Sequence, residues 1–466
     1  MIPLRRLLDR ARAERWLAPL VVGLVVRTAW SVWAFRTQFN YLHPAVQNLR
    51  MTRDFVERIG PRLGGEPTAF LPPGQPLLLA PLAWVVGKLD LELDLAVCVA
   101  QVLIGTGTIL LAAALAARLY GRSSGRAAAW LFALAPGLVA VTPVATAHTV
   151  LLAVVLGALL LLRLDPIGGD PVGGRAPRWV LAGAAVGIAT LVDPAAATAL
   201  LPLTAVTWWP GKGRPPAARR WGWGALGLLV VLLPWAVRNG LQVGVWTPLP
   251  TRVAATSCMG VTDGDGVTLG DDPVDAYPRC HRSRLFREES QIGTSRTARL
   301  DDLPDESEWF GRTVWRSITD RVGDPGHAAA RGVSNVYRSV QSGRGALDLV
   351  GDLGQTPLAH GRLAEVMGRV LDAWQGAVAV LAALAVALVR RCRRREVLAA
   401  LAGSVVALAV APAAGMPPLL LLAFATLVVA GLVGATADGS TPDEPDSVDA
   451  EPAASSPSPA HPALNT

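Results

Sequence analysis

Long apolar runs alternate with short polar segments along almost the whole chain, the pattern expected when lipid surrounds most side chains. Each run of near-spanning length predicts a helix, because only a helix satisfies its own backbone hydrogen bonds in lipid. About ten transmembrane helices are predicted on this basis. They lie at residues 17–35, 94–117, 127–144, 146–163, 178–192, 194–209, 221–238, 373–390, 397–412 and 417–435. The pattern therefore predicts an all-α integral membrane protein.

The distribution of arginine and lysine predicts the orientation of these helices. With a cytoplasmic N-terminus, the basic loops all fall on the cytoplasmic side, as the bias of positive charge toward that side requires. These loops are 118–126, 163–178, 212–220 and 390–395. The Arg-rich run at 390–395 is interpreted as a stop signal, with binding of anionic lipid head groups as the alternative. Both termini are thus predicted to lie on the cytoplasmic side of a plasma membrane.

The apolar segment Pro76–Gly87 is too short to be a span, at about twelve residues. Counting it as a crossing would invert the predicted side of every later loop. We therefore interpret it as a juxtamembrane or re-entrant helix.

Two large polar regions then lie on the outer face, residues 36–75 and 239–372. Polar loops of this size in a membrane protein usually bind a ligand or take part in a reaction. Bulky residues recur at three- and four-residue spacing over 305–322, which predicts a helix with one apolar face. Such a helix lies in the membrane interface or packs against the rest of the outer region.

The chain is accordingly divided into four parts. They are an N-terminal membrane core (1–238), an extracytoplasmic α-rich region (239–372), C-terminal transmembrane helices (373–435) and a disordered acidic cytoplasmic tail (436–466).

Composition agrees with a polytopic membrane protein: of 466 residues, 52% are hydrophobic and 17% are charged, and the formal net charge is +7. Topology accounts for the positive sign, so membrane lipid is an expected partner and nucleic acid is not. The P-loop motif does not occur, so an ATP-driven role has no support.

The four cysteines divide by predicted compartment. Cys98 lies within a span and Cys392 in a cytoplasmic loop, so neither is expected to form a disulfide. Cys258 and Cys280 both lie in the outer region, where oxidation is permitted, and a bridge between them would stabilise the fold by roughly 3 kcal/mol. Metal binding is the alternative, because His281 follows Cys280, but no metal-ligand spacing supports a metal site.

Four segments resemble, in sequence and order, those of the multi-spanning glycosyltransferases of the GT-C superfamily. The similarity is greatest to the branch of protein O-mannosyltransferases and lipid A aminoarabinose transferases, and it extends through about residue 340. The four segments are FLPPGQPLLLAPLAWVVG (70–87), LAGAAVGIATLVDP (181–194), LLVVLLPWAVRNGLQVGVWTPLPT (228–251) and DESEWFGRTVWRSITDRVGDP (305–325). The resemblance implies a GT-C-like bundle with juxtamembrane helices.

The resemblance also implies a reaction. Such enzymes transfer a sugar from a polyprenyl-phosphate carrier to an envelope or secreted acceptor at the outer face, often with a divalent cation at the donor phosphate. A carboxylate is needed to take the proton of the acceptor hydroxyl. Cationic or amide groups are needed to hold the lipid phosphate as it leaves. The sequence identifies neither the sugar nor the acceptor.

The catalytic aspartate of the family lies in the first outer loop, where this chain has no carboxylate at Val46–Asn48. The first acidic residue of the loop is Asp54, our candidate base, and Glu57 is a further possible site residue. The alternative is that both lie on the polar face of a short interfacial helix, in ion pairs that stabilise it little. Their partners at helical spacing would be Arg50, Arg53 or Arg58.

Arg238 and Asn239 match the Pro-Trp-x-x-Arg-Asn signature of the family residue for residue. They are candidates for binding the donor phosphate. Arg50 and Arg53 are candidates for the same positively charged binding site. The alternative for Arg238 is extension toward lipid head groups. His43 is a further possible site residue, and an interfacial anchor is its alternative role.

Two other positions depart from the family. His148 stands where the family often has glutamate, and it is either a donor to a phosphate or an interfacial residue without a catalytic role. Asp193 stands where the family has arginine, and capping of a helix before Pro194 explains it.

Two further hypotheses stand beside an active transferase. The absence of family carboxylates at two places, Val46–Asn48 and His148, supports a catalytically degenerate GT-C protein that acts as a binding or assembly partner in envelope polysaccharide synthesis. An unrelated transporter or flippase is the other alternative. The expected absence of charged side chains within the spans, and of a repeated half, disfavours a transporter.

Overall fold

The computed structural model describes residues 15–36, 43–57, 60–63, 66–143, 147–162, 176–199, 217–259, 306–341, 362–410 and 416–437. The helices are α1 (Leu17–Arg36), α2 (His43–Val56), α3 (Gly74–Lys88), α4 (Leu93–Tyr120), α5 (Arg122–Leu134), α6 (Pro136–Ala140), α7 (His148–Leu162), α8 (Ala176–Val192), α9 (Ala217–Gln242), α10 (Arg252–Met259), α11 (Glu306–Gly323), α12 (Pro325–Gln341), α13 (Arg362–Leu388), α14 (Arg395–Val410) and α15 (Met416–Ala437). Two-residue strands β1 (Arg62–Leu63) and β2 (Glu66–Pro67) form an antiparallel hairpin.

Helices α1, α4, α9, α13 and α15 are long and apolar enough to cross a membrane. The shorter apolar helices α7, α8 and α14 accompany them. The predicted all-α, multi-pass membrane protein is thus confirmed. The segment predicted as a juxtamembrane or re-entrant helix is α3, a single helix of 15 residues.

Two predicted spans differ from the structure. The continuous span predicted at 127–144 is wrong, because the chain breaks into α5 and α6 at Ala135 (φ −58°, ψ 108°). Pro136 causes the break, since a residue before proline avoids the helical conformation. The span predicted at 194–209 begins as the 3₁₀ helix Pro194–Ala199, and its remaining residues lie outside the described part of the chain.

The largest apolar cluster of the bundle lies between α4, α5, α7 and α15 and includes the fully buried side chains of Ile109, Phe132, Leu156 and Leu427. Beside this cluster, glycine residues allow α8 and α9 to pack closely. A Cβ on Gly183 would lie 1.9 Å from the carbonyl oxygen of Gly224, so no larger residue fits there without moving a helix. Small residues at such crossings let the backbones of membrane helices approach.

Arg27 is a charged side chain inside the first span, so the expectation of uncharged spans is wrong. It is 1% exposed. Its guanidinium donates to the carbonyl oxygens of Phe132 at 2.9 Å and Ala133 at 3.2 Å. Because Pro136 has no N–H, the carbonyl of Phe132 cannot make its usual helical hydrogen bond. Arg27 therefore supplies the donors that the break at Ala135 removes.

The described residues of 43–71, 245–259 and 306–323 pack together beside the ends of α3 and α9, and we call them the loop layer. Its apolar centre consists of Met51, Phe70, Leu71, Ala254 and Trp309. The amphipathic helix predicted at 305–322 is α11. Its Trp309 faces the layer, whereas Trp315 is 68% exposed.

Candidate functional site

Arg238 connects the loop layer to α9 through hydrogen bonds. It lies near the end of α9 and donates from Nη1 to the carbonyl oxygen of Thr68 at 2.6 Å and from Nη2 to that of Pro61 at 3.2 Å. The ring of Trp235, one turn earlier, lies 5.1 Å from its Cζ. The described contacts leave Nε–H and one Nη2–H of Arg238 for a ligand.

Asn239 completes this arrangement and is fully buried. Its Oδ1 accepts from Arg238 Nη1 at 3.0 Å, and its Nδ2 donates to the carbonyl oxygen of Thr247 at 2.8 Å. The Arg-Asn pair of the sequence signature therefore shapes the turn after α9 as well as the position of Arg238.

Asp54, the candidate base, lies near the end of α2 and is half-buried. Its Oδ2 accepts from the backbone N–H of Arg62 at 3.3 Å, and among the described residues its Oδ1 accepts no hydrogen bond. Burial raises the pKa of the Asp54 carboxyl, the Arg62 N–H opposes that rise, and the charge of Glu57 adds to it. A raised pKa suits a group that must take a proton near neutral pH.

Asp54 and Arg238 hold the two ends of one peptide group. Arg238 binds the carbonyl of Pro61, and Asp54 binds the N–H of the next residue, Arg62. The structure therefore brings the candidate base and the candidate phosphate ligand to the same short segment.

The loop layer contains a carboxylate to which the sequence reasoning gave no role, Glu306 at the start of α11. Its Oε1 accepts from the N–H of Ala69 at 3.0 Å and the hydroxyl of Thr251 at 2.6 Å, and its Oε2 accepts from the hydroxyl of Thr68 at 2.9 Å. Burial raises the pKa of the Glu306 carboxyl, while these hydrogen bonds and the charge of Arg238 oppose the rise. An acidic residue opening a predicted helix is the sequence signal that marks it.

The remaining candidates of the first loop lie on α2. Arg50, Arg53 and Glu57 are exposed. Within the described part of the chain, neither Arg50 nor Arg53 pairs with Asp54, so the alternative role of Asp54 as a helix-surface ion pair lacks these two partners. Arg58 lies outside the described residues, as does the side chain of His43, the first residue of α2.

Asn48, in the range where the resemblance leads one to expect an acid, makes a hydrogen bond between two amide side chains. Asn48 Nδ2 donates to Oε1 of the buried Gln75 at 3.1 Å, which ties α2 to the start of α3.

His148 and Asp193 do not belong to the described network of Asp54, Arg238 and Glu306. His148 opens α7 and lines a cavity beside Arg27. Asp193 follows α8, and its carbonyl oxygen accepts from the N–H of Ala196 in the 3₁₀ helix, as expected for a helix junction.

The cysteines have different states. Cys98 and Cys392 are not disulfide-bonded, whereas Cys258 is. Cys280, its predicted partner, lies outside the described residues.

The described residues do not form a metal site. No group of three His, Cys, Asp or Glu side chains among them could hold a metal ion. Of the two carboxylates near Arg238, Glu306 has both oxygens in hydrogen bonds, and Asp54 has one oxygen available. A single carboxylate oxygen is fewer protein ligands than a dedicated divalent-cation site requires.

Comparisons with known proteins agree with this architecture. The family model described as dolichyl-phosphate-mannose-protein mannosyltransferase matches residues 74–237. That segment begins with α3 and ends one residue before Arg238, so it includes neither Asp54, Arg238 nor Glu306. No curated protein sequence matches the chain.

Solved structures similar to this chain include those of two proteins. One is archaeal oligosaccharyltransferase AglB from Archaeoglobus fulgidus, solved with an inhibitory peptide and a dolichol-phosphate, at a TM-score of 0.52 and 14% identity over 91% of this chain and 50% of that chain. This chain thus spans half the length of AglB. The other is ArnT from Cupriavidus metallidurans bound to undecaprenyl phosphate, at a TM-score of 0.41 and 16% identity over 92% of this chain and 79% of that chain. The family-model match and the fold shared with AglB identify the chain as a membrane protein with the fold of the GT-C superfamily of glycosyltransferases.

Proposed function

We propose that the protein transfers a sugar from a polyprenyl-phosphate carrier to an envelope or secreted acceptor at the outer face of the cytoplasmic membrane. The observation that carries this proposal is the match of residues 74–237 to a mannosyltransferase family whose described donor is a dolichyl phosphate sugar. The dolichol-phosphate bound by AglB, whose fold the chain shares, is a carrier of the same class.

In the proposed reaction, the acceptor oxygen bonds to the anomeric carbon of the sugar while the bond from that carbon to the phosphate oxygen breaks. The acceptor proton passes to Oδ1 of Asp54, and the polyprenyl phosphate leaves. The raised pKa of Asp54 supports this role, because a weakly acidic carboxyl is a better proton acceptor.

Arg238 holds the departing phosphate in this proposal. Its Nε–H and one Nη2–H are not used by the described contacts, and charge-assisted hydrogen bonds to phosphate are stronger than those to neutral groups. Asn239 and Glu306 fix the guanidinium, the first by a hydrogen bond and the second by its charge. The exposed Arg50 and Arg53 add positive charge to the same phosphate-binding site.

One observation favours a second candidate function, a catalytically degenerate GT-C protein that binds or assembles envelope polysaccharide. Asn48, in the range where the resemblance places the acid of the family, is an amide that donates to Gln75. Under this alternative, the protein binds the lipid-linked donor without transferring its sugar.

The test compares Asp54→Asn with wild type, using full-length protein in lipid and a panel of radiolabelled polyprenyl-phosphate sugars. Asparagine keeps an acceptor for the Arg62 N–H but cannot take a proton, so we expect transfer to fall by about 10²–10⁴-fold with donor binding retained. The exposed Asp320→Asn in the same layer is the matched control and leaves transfer unchanged.

The outcomes separate the hypotheses. Donor binding without transfer in wild type, unchanged by Asp54→Asn, supports the degenerate protein. Failure to bind any donor of the panel contradicts both functions.

A further inference from the structure

A cavity of ≈ 20 Å³ lies inside the helix bundle, between α1, α4 and α7. Its polar lining consists of Arg27, Thr108, His148 and Thr149, and its other walls are mostly leucine and valine. A cavity of about 10–15 Å³ suffices for one water molecule. The space therefore suits one small ion, and it is too small for a phosphate group or a sugar.

The guanidinium of Arg27 has no opposite charge among the described residues. All three of its hydrogen bonds go to neutral carbonyl oxygens, those of Gly23, Phe132 and Ala133. A charged side chain within a transmembrane segment is energetically costly. A negative charge bound near Arg27 would therefore stabilise the folded bundle.

Arg27 and Thr149 each present a hydrogen-bond donor at the cavity. Arg27 Nε and Thr149 Oγ are buried and make no hydrogen bond within the described part of the chain. A Cβ on Gly105 would lie 3.3 Å from Arg27 Nε and 3.3 Å from Thr149 Cγ2, so both groups meet beside Gly105. Thr108 already donates to the carbonyl oxygen of Gly105 at 2.7 Å.

We propose that this cavity binds one monatomic anion, chloride being the abundant one, between Arg27 Nε–H and the Thr149 hydroxyl. A buried water would also accept these hydrogen bonds, but it would leave the charge of Arg27 uncompensated. The site is separate from the loop layer, and the proposal does not depend on the function of that layer.

The test measures thermal unfolding of the full-length protein in lipid nanodiscs. Sodium chloride, sodium bromide and sodium gluconate are compared at one ionic strength, because gluconate is too large for the cavity. We expect the unfolding temperature to rise saturably with either halide and not with gluconate, since a ligand that binds only the folded state stabilises it.

Variants locate the site. Thr149→Val keeps the shape and removes the hydroxyl donor, so the halide concentration at half-maximal response rises by about tenfold. Thr190→Val, which is equally buried and lies in α8 with its hydroxyl bonded to Val186, is the matched control and keeps the wild-type response. Arg27→Met removes the charge and abolishes the response.

The result that overturns the proposal is an equal unfolding temperature in all three salts, which means that the cavity holds only water. A halide response that is unchanged in Thr149→Val places the ion elsewhere and also overturns it. If Arg27→Met does not fold, Gly105→Ala tests the site instead, because its methyl group fills the cavity beside Nε and abolishes the response.

Discussion

Arg27 and Arg238 have the same structural task in two different regions. Each lies in a membrane helix and donates to two carbonyl oxygens of a distant segment, Phe132 and Ala133 for Arg27, Pro61 and Thr68 for Arg238. The segment bound by Arg27 is the helix break at Ala135, and the segment bound by Arg238 contains the β1–β2 hairpin. Arginine suits this task because its planar fork presents several donors at fixed angles.

The two regions differ in how the positive charge is balanced. Arg238 is half-buried where α9 meets the loop layer, near the ring of Trp235 and the charge of Glu306. Arg27 is enclosed in the bundle, and the described residues give it no carboxylate. The same type of side chain therefore keeps donors available for a ligand where it is half-buried, and it lacks a described counter-charge where it is enclosed.

The largest expected effect is that of Arg27→Leu. The change leaves the carbonyls of Phe132 and Ala133 unpaired in an apolar surrounding, so we expect a loss of about 4 kcal/mol in the free energy of unfolding. Unfolding in mixed micelles measures it.

A second substitution tests the reason for that loss. Pro136→Ala restores the N–H that the Phe132 carbonyl lacks, so Arg27→Leu should cost about 1–2 kcal/mol less in that background. Equal costs in both backgrounds would show that Arg27 does not compensate for the proline.

The next effect removes the balancing charge of the loop layer. Glu306→Ala leaves the Ala69 N–H unpaired and the Arg238 charge unopposed, and we expect a loss of about 3 kcal/mol. Glu306→Gln keeps one acceptor and should cost about 1 kcal/mol. Chemical unfolding in mixed micelles measures both losses.

The matched control is Glu308→Ala on the same helix. Glu308 is exposed and pairs with Arg312 one turn later, so its loss should cost under about 0.5 kcal/mol. Similar losses at Glu306 and Glu308 would contradict a special role for Glu306.

The sequence was sufficient for features whose signal is local. Apolar runs predicted the long spans, three- and four-residue spacing predicted α11, and a short signature identified Arg238 with Asn239. Pro136 was visible inside a predicted span and could have indicated the break, because proline interrupts a helix. Hydropathy averaged over the span concealed this residue.

The remaining features depend on contacts between distant segments. Arg27 meets carbonyls more than 100 residues away, and Glu306 meets Thr68 across 238 residues. Asp54 and Arg238 can bind the same peptide group because the β1–β2 hairpin reverses the direction of the first loop. No pattern within one segment records such an arrangement, so the candidate site was predicted as separate residues.

A smaller effect is expected for Arg238→Lys. An ammonium keeps the charge but cannot reach Pro61, Thr68 and Asn239 together, so we expect a loss of about 1–2 kcal/mol. The same change at Arg27 should cost more, because water can replace the lost donors only at the half-buried site. Equal losses in unfolding experiments on the two variants would contradict the difference in depth.

The smallest effect is the pH dependence that Glu306 contributes. Its folded-state pKa is raised by burial, which means that ionisation is less favourable in the folded protein than in the unfolded one. Its contribution to stability is therefore full below the ordinary carboxyl pKa and is lost as the pH rises through the raised value. The hydrogen bonds of Ala69, Thr68 and Thr251 and the charge of Arg238 oppose the shift, so the loss is small. We expect the unfolding temperature to fall more steeply with rising pH for wild type than for Glu306→Gln. The measurement covers about pH 3.5 to 7, the interval in which a shifted carboxyl titrates. Parallel curves would mean that Arg238 balances Glu306 completely, and the contrast with the unbalanced Arg27 would then be at its greatest.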